Sequence, residues 1–260
     1  MDAFTYLGIE PAGERRYRLP ITDRIATAAS TLFGGAATAS LTAVAEHELG
    51  RPLIWASVAF TNVPPVPETV ELTVIPVAEG RRVSHARVEG AIDGTTVLLM
   101  TASLGEQSDD DLVGQWPERL EVPGPEDCKP REGRAGTADE HVEFRPARIR
   151  TGDQRKQPSP DGRFGMWLRV PDLDPGTPRV ALLADYVNSF CGQALGERAT
   201  SKSLDNNLRI ISHAPADWLL LDVQMGAVTG GYAHGHGYLW STDGELLAEA
   251  SQTMTVRRRA

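Results

Sequence analysis

Apolar residues recur along the chain in two similar textures separated by polar stretches. From 32 to 49 the sequence is rich in Ala and Leu, holds no Pro and stops at Gly50, the pattern of a helix closed by a C-terminal glycine. Strand-like runs follow at 53–61, 69–77, 82–92 and 96–104, with Asp93-Gly94 as a hairpin turn. The same order then returns. Val180, Leu183, Val187, Phe190, Cys191 and Ala194 fall at helical spacing over 179–195, closed by Gly196. Strand-like runs follow at 203–211, 217–224, 233–241 and 246–257, with Asp243-Gly244 as the turn.

The recurrence has a fixed step. Asp93-Gly94 and Asp243-Gly244 stand 150 positions apart, and the same step lays 182–185 on 32–35 and 250–252 on 100–102. A constant offset at both ends of the unit predicts a duplicated structure, each copy a helix followed by an antiparallel meander that wraps it. The units occupy 1–105 and 138–260. Between them 106–137 carries acids, Pro117, Pro123, Pro125 and Pro130 without apolar periodicity, and is predicted to be a solvated linker; 151–162 is similarly polar.

Composition narrows the classes of function. The chain has 260 residues, 41% of them hydrophobic and 23% charged, enough for a substantial core. A net charge of −9 argues against nucleic acid or an anionic membrane as partner. No apolar run reaches the roughly 18 residues of a membrane span, and the Met1-Asp2-Ala3-Phe4 start does not read as a signal peptide, so a cytoplasmic protein is expected. Two cysteines, Cys128 and Cys191, make neither a disulfide framework nor a multi-cysteine metal site.

The residues in these positions resemble the acyl-CoA thioesterase II type of double hotdog protein. The first half contributes Leu32-Phe33-Gly34-Gly35, Val83-Ser84-His85-Ala86-Arg87-Val88 and Met100-Thr101-Ala102-Ser103. The second contributes Ala184-Asp185-Tyr186, Ser203-Leu204-Asp205-Asn206, Asp217-Trp218-Leu219-Leu220, Thr242-Asp243-Gly244 and Ala248-Glu249-Ala250-Ser251-Gln252, with 142–146 and 167–169 as opening strands. The resemblance implies an α+β double hotdog in which two tandem units share one continuous sheet. It also implies a catalytic trio, carried over here as Asp185, Ser203 and Gln252, and a glycine pair, Gly34 and Gly35, on the substrate side. There is one departure: the family usually has Asp-His-Ser, aromatics and then His-Arg-Pro after the trio's hydroxyl residue, where this chain reads Asp205-Asn206-Asn207 and on to His213.

The implied activity is hydrolysis of a medium- to long-chain fatty acyl-CoA, with no cofactor and no metal. A positioned water can attack a thioester directly if its proton is taken and the oxyanion stabilised. Asp185 is the expected base, with Ser203 and Gln252 orienting the water. Backbone N–H groups near Gly34 and Gly35 are expected to face the thioester oxygen, and an acyl tunnel is expected along Ala36, Ala39 and Ala43. The offset sets Asp185 on Gly35, so one copy carries the base and the other the clearance, one site per chain. On a helical wheel, however, Asp185 lies with Asn188, Ser189 and Gly192, away from the apolar stripe, which alone would make it an exposed helix acid.

Other readings compete. A non-catalytic acyl or acyl-CoA binding module would keep the architecture without the turnover. A hotdog hydratase would need a His near the second helix start, and none lies in 183–192. His234 and His236 share a strand face without a third ligand, His47-Glu48 lacks the second His of a zincin, and no Gly-x-Ser-x-Gly elbow occurs. Cys191 reads as core, and Arg257-Arg258-Arg259 as a solvated tail or a contact for CoA phosphates. A homo-oligomer, dimer or larger, is expected because hotdog edges and faces commonly pair.

Overall fold

The computed structural model describes residues 1–108 and 113–259. Helix α1 (Ala3–Leu7) leads into strands β1 (Glu10–Pro11) and β2 (Arg16–Pro20), which the hydrophobic pattern did not show. Helix α2 (Gly34–Leu49) is followed by β3 (Leu53–Phe60), β4 (Thr69–Glu79), β5 (Val83–Ile92) and β6 (Thr95–Gly105). The second half runs β7 (Glu143–Arg148), β8 (Arg163–Arg169), α3 (Thr177–Ala184), α4 (Cys191–Leu195), β9 (Ala199–Ser203), β10 (Asp205–Ile210), β11 (Leu219–Thr229), β12 (Tyr232–Trp240) and β13 (Leu246–Arg258).

All the strands join one antiparallel sheet in the order β1-β2-β4-β5-β6-β3-β10-β13-β12-β11-β8-β7, with β9 paired to β13. The order is a palindrome about the β3–β10 seam: β4-β5-β6-β3 on one side, β10-β13-β12-β11 on the other. Register carries the same 150-residue step read from the sequence. Ser57 pairs Thr101 and Val58 pairs Met100, while Asn207 pairs Ser251 and Leu208 pairs Ala250. The fold is the double hotdog.

Helix α2 shows why a wrapped helix reads as it does. Every residue from Gly35 to Ala45 is buried, so the helix has no wet face and must be small: Ala36, Ala37, Ala39, Ala43 and Ala45 let sheet and neighbouring helix approach. Two of its buried hydroxyls bond backward, Thr38 to the Gly34 carbonyl at 2.9 Å and Ser40 to that of Ala36 at 2.8 Å. Gly50 closes it at φ 60°, its N–H on the Glu46 carbonyl.

Three expectations are corrected. The second helix is not continuous over 179–195: after α3 the chain tightens into a 3₁₀ segment, Asp185–Phe190, before α4 ends at Gly196. The expected strand 203–211 is two strands that break at Leu204, β9 and β10. The two Asp-Gly turns also differ. Asp93 and Gly94 both have positive φ, 48° and 76°, as a two-residue hairpin turn requires, whereas in the second turn Gly244 alone does and Ser241 N–H reaches round to the Glu245 carbonyl at 2.9 Å.

The linker also departs from expectation; its residues 109–112 lie outside the described ones. Between 113 and 131 most of its residues are exposed, as a solvated connection requires, but it also lies as a strap on the outer face of the second unit, anchored at a few buried positions. Leu120, Pro125 and Cys128 are buried there, and Cys128 joins a cluster of Trp167, Trp218, Leu220, Trp240 and Leu246 against which Val122 also packs. Trp167 Nε1–H donates to the Pro123 carbonyl at 2.9 Å, and Leu120 N–H donates to Asp222 Oδ2 at 2.9 Å. Asp222 is 3% exposed and holds Arg163 in a two-pronged pair at 2.8 and 3.1 Å. The linker's prolines hid this, because an extended chain lying on a sheet shows no periodicity.

Candidate active site

The tightening at Asp185 turns the second helix's polar face toward the first unit. There the first turn of α2 covers it, and Asp185 is left 1% exposed. Glycine is required at this contact. A Cβ on Gly34 would stand 2.7 Å from Asp185 Oδ2, and one on Gly35 would stand 2.3 Å from the Leu182 carbonyl oxygen. The pair therefore clears space for Asp185 and for α3. The Gly35 N–H donates to Asp185, and Gly34 borders the groove described below.

Asp185 Oδ1 accepts hydrogen bonds from Gln252 Nε2 and from Asn206 Nδ2, the latter at 3.3 Å. Gln252 comes from β13 and Asn206 from β10 at the seam, so one carboxylate ties two strands of the second unit to the first turn of α2. Burial drives its pKa up, and the Asn206, Gln252 and Gly35 donors pull the other way; the balance lies at about 7. Such a carboxylate is poised to exchange protons near neutrality.

Ser203 does not touch Asp185 directly. Asn188 links the two parts of the site: its Nδ2–H donates to Ser203 Oγ at 3.0 Å, and its backbone N–H donates to Gln252 Oε1 at 3.1 Å. That second bond fixes the Gln252 amide with its nitrogen toward Asp185. Ser201 Oγ in turn donates to the Asn188 carbonyl at 3.2 Å. The 3₁₀ segment is held from behind by Tyr186, whose hydroxyl donates to Asp139 at 2.8 Å and whose ring meets those of Phe33 and Phe144. Asn188 and Asn206 were not among the expected site residues. Each had a signal: Asn188 shares the polar wheel face of Asp185, and Asn206 stands where the family usually has His.

A groove of about 380 Å³ opens beside Asp185, Asn188 and Ser203. Phe33, Ala37, Phe60 and Leu98 give it an apolar wall, and β9 residues Thr200–Ser203 form the opposite side. The tunnel expected along Ala36, Ala39 and Ala43 is replaced by this groove, since those three are packed in the core and Ala37 lines it instead. Cys191 is core, as expected. His234 and His236 lie on β12, and among the described residues no group of three metal-ligating side chains occurs.

Family models match both halves: the acyl-CoA thioesterase N-terminal domain over residues 21–105 and the acyl-CoA thioesterase C-terminal domain over 117–256. The chain belongs to the acyl-CoA thioesterases. It is a thioester hydrolase of that family. Among solved structures it is similar to a provisional thioesterase from Novosphingobium aromaticivorans, with 29% identity, 95% of this chain and 97% of that one covered and a TM-score of 0.83. It is also similar to the TesB protein of Mycobacterium avium subs. paratuberculosis (23%, 98% and 98%, 0.80) and to acyl-CoA thioesterase II TesB2 of Mycobacterium marinum (21%, 99% and 99%, 0.77). At the latter two identities the likeness is one of fold. Among curated proteins, none matches the chain. No helix among the described residues is long and apolar enough to cross a membrane.

Proposed function

We propose that the chain hydrolyses medium- to long-chain fatty acyl-CoA by direct attack of a water on the thioester, with Asp185 as the base. The observation that carries this reading is a single buried carboxylate in the wall of an apolar groove, clamped by Gln252, Asn206 and Gly35 and titrating at about 7. In the ionised form Asp185 takes a proton from the water as its oxygen bonds to the thioester carbon. The oxyanion forms beside the first turn of α2, whose N-terminal field favours negative charge. Collapse breaks the C–S bond, and Asp185 returns the proton to the thiolate, releasing acid and CoA. Asn188 occupies a lone pair of the Ser203 hydroxyl, which leaves that proton to be donated to the water oxygen.

The apolar wall of Phe33, Ala37, Phe60 and Leu98 supports a fatty acyl chain as the group that lies in the groove. Two buried, unpaired cysteines accord with a reducing, cytoplasmic setting, and a homo-oligomer completes the reading. The test is CoA release across an acyl-chain series, read as free thiol, for wild type and Asp185→Asn. Turnover is expected to peak at medium to long chains and to drop at least about 10³-fold in the variant. It should also fall about tenfold per pH unit below about 7, where Asp185 takes up a proton. Tight acyl-CoA binding with no turnover at any length would assign the chain to binding instead.

A further inference from the structure

Arg257, Arg258 and Arg259 are not a free tail. Strand β13 continues to Arg258 and pairs with β9, Thr200 opposite Arg257 and Ala199 opposite Arg258, and Arg259 N–H donates to the Arg198 carbonyl at 2.9 Å. Strand β9 is at the same time a side of the groove, through Thr200, Ser201, Lys202 and Ser203. The strand pair therefore sets Arg198, Lys202, Arg257 and Arg259 on one face, with Arg258 on the other, and Lys202 carries that face to the groove it lines. From Ser203 to the Thr200–Arg257 rung is three residues, about 10 Å.

This end is positive in a chain whose net charge is −9. Within 197–203 and 254–259 the one acid is Glu197, and it is taken by Arg258 at 2.6 and 3.0 Å. Arg198, Lys202, Arg257 and Arg259 are exposed and have no carboxylate partner among the described residues. Of the residues that line the groove, Asp185 and Lys202 carry charge. Four cations without carboxylate partners on the strand face that adjoins an apolar groove through Lys202 would bind a ligand with a neutral reactive end and a polyanionic tail.

We propose that the β9–β13 end is the phosphate subsite for the CoA portion of the substrate. The thioester lies at Asp185, the pantetheine arm follows β9, and the phosphates meet Lys202, Arg257, Arg198 and Arg259. The inference rests on the thioesterase reading but has its own readout. CoA and pantetheine, neither carrying an acyl group, are titrated calorimetrically into wild type and into a Lys202→Glu/Arg257→Glu double variant, with hydrolysis followed separately.

CoA is expected to bind wild type about tenfold or more tightly than pantetheine, a preference that shrinks as salt rises. In the double variant the preference collapses toward one, and in Lys202→Arg/Arg257→Lys it survives. Equal affinities in wild type, or a preference untouched by charge reversal, would overturn the subsite. A wild type that prefers CoA, loses that preference on charge reversal and yet hydrolyses no acyl-CoA would remove the thioesterase reading and leave the subsite standing.

Discussion

Asp185 would look like a surface acid if its helix were taken alone, and its burial is decided by two glycines 150 positions away in the other unit. The two glycines make different contacts, and substitution should separate them. A methyl on Gly34 meets the Asp185 carboxylate, so Gly34→Ala is expected to displace the base and lower kcat about 10²-fold while thermal melting shifts little. A methyl on Gly35 meets the Leu182 backbone carbonyl, which has no rotamer to escape into, so Gly35→Ala is expected to lose about 2 kcal/mol or more of stability. Kinetics and a denaturant melt on both variants check the distinction. Equal effects on both readouts would mean that the glycines act together as a packing pair.

Among the elements, the strands differ in how many faces they bury. Strand β5 alternates between buried and more exposed positions from Val83 to Gly90, the mark of a sheet with one wet face. Strand β8 is buried from Phe164 to Leu168 without alternation, because α3 and the core lie on one side and the 113–131 strap on the other. Gly165 leaves the space that Leu120 of the strap fills, since a Cβ there would lie 2.6 Å from a Leu120 methyl. Asp222 fastens the strap, so Asp222→Ala, which leaves the Leu120 N–H without its acceptor and Arg163 without its carboxylate, is expected to cost about 2–3 kcal/mol. Limited proteolysis should then cut the variant within 113–125 faster than wild type. An unchanged cleavage rate would show that the tryptophan cluster alone holds the strap.

In the molecule as a whole, neither unit closes by itself. Strand β3 bonds β10 from Trp55 to Ala59, and α2 is buried partly by α3, so residues 1–105 alone would carry an open strand edge and an uncovered helix face. That fragment is expected to aggregate or remain unfolded, and co-expression with 106–260 to recover a soluble complex, as size-exclusion chromatography would report. A stable, monomeric 1–105 fragment would show the seam to be dispensable. The seam also explains why there is one site. The step of 150 lays Asp185 on Gly35, and the two meet across the helices as carboxylate and N–H donor, one copy giving the charge and the other the room.

Much of this was legible in order and spacing. The duplicated helix-and-meander plan and the step of 150 follow from local pattern, because strand alternation, helix spacing and turn residues act over a few neighbours, whereas the trio Asp185, Ser203 and Gln252 came from the family resemblance alone. The structure brings Asp185 and Gln252 into contact and joins Ser203 to them through Asn188. The break at Asp185, the use of Asn206 at the seam and the strap over the tryptophans were not legible. Each depends on what packs against a residue from more than 15 positions away, and no local period records that. The sequence by itself determined which elements form and in what order. Tertiary structure decided which polar residues are buried, since burial, and with it a carboxylate that titrates at about 7, is set by the neighbours that exclude water.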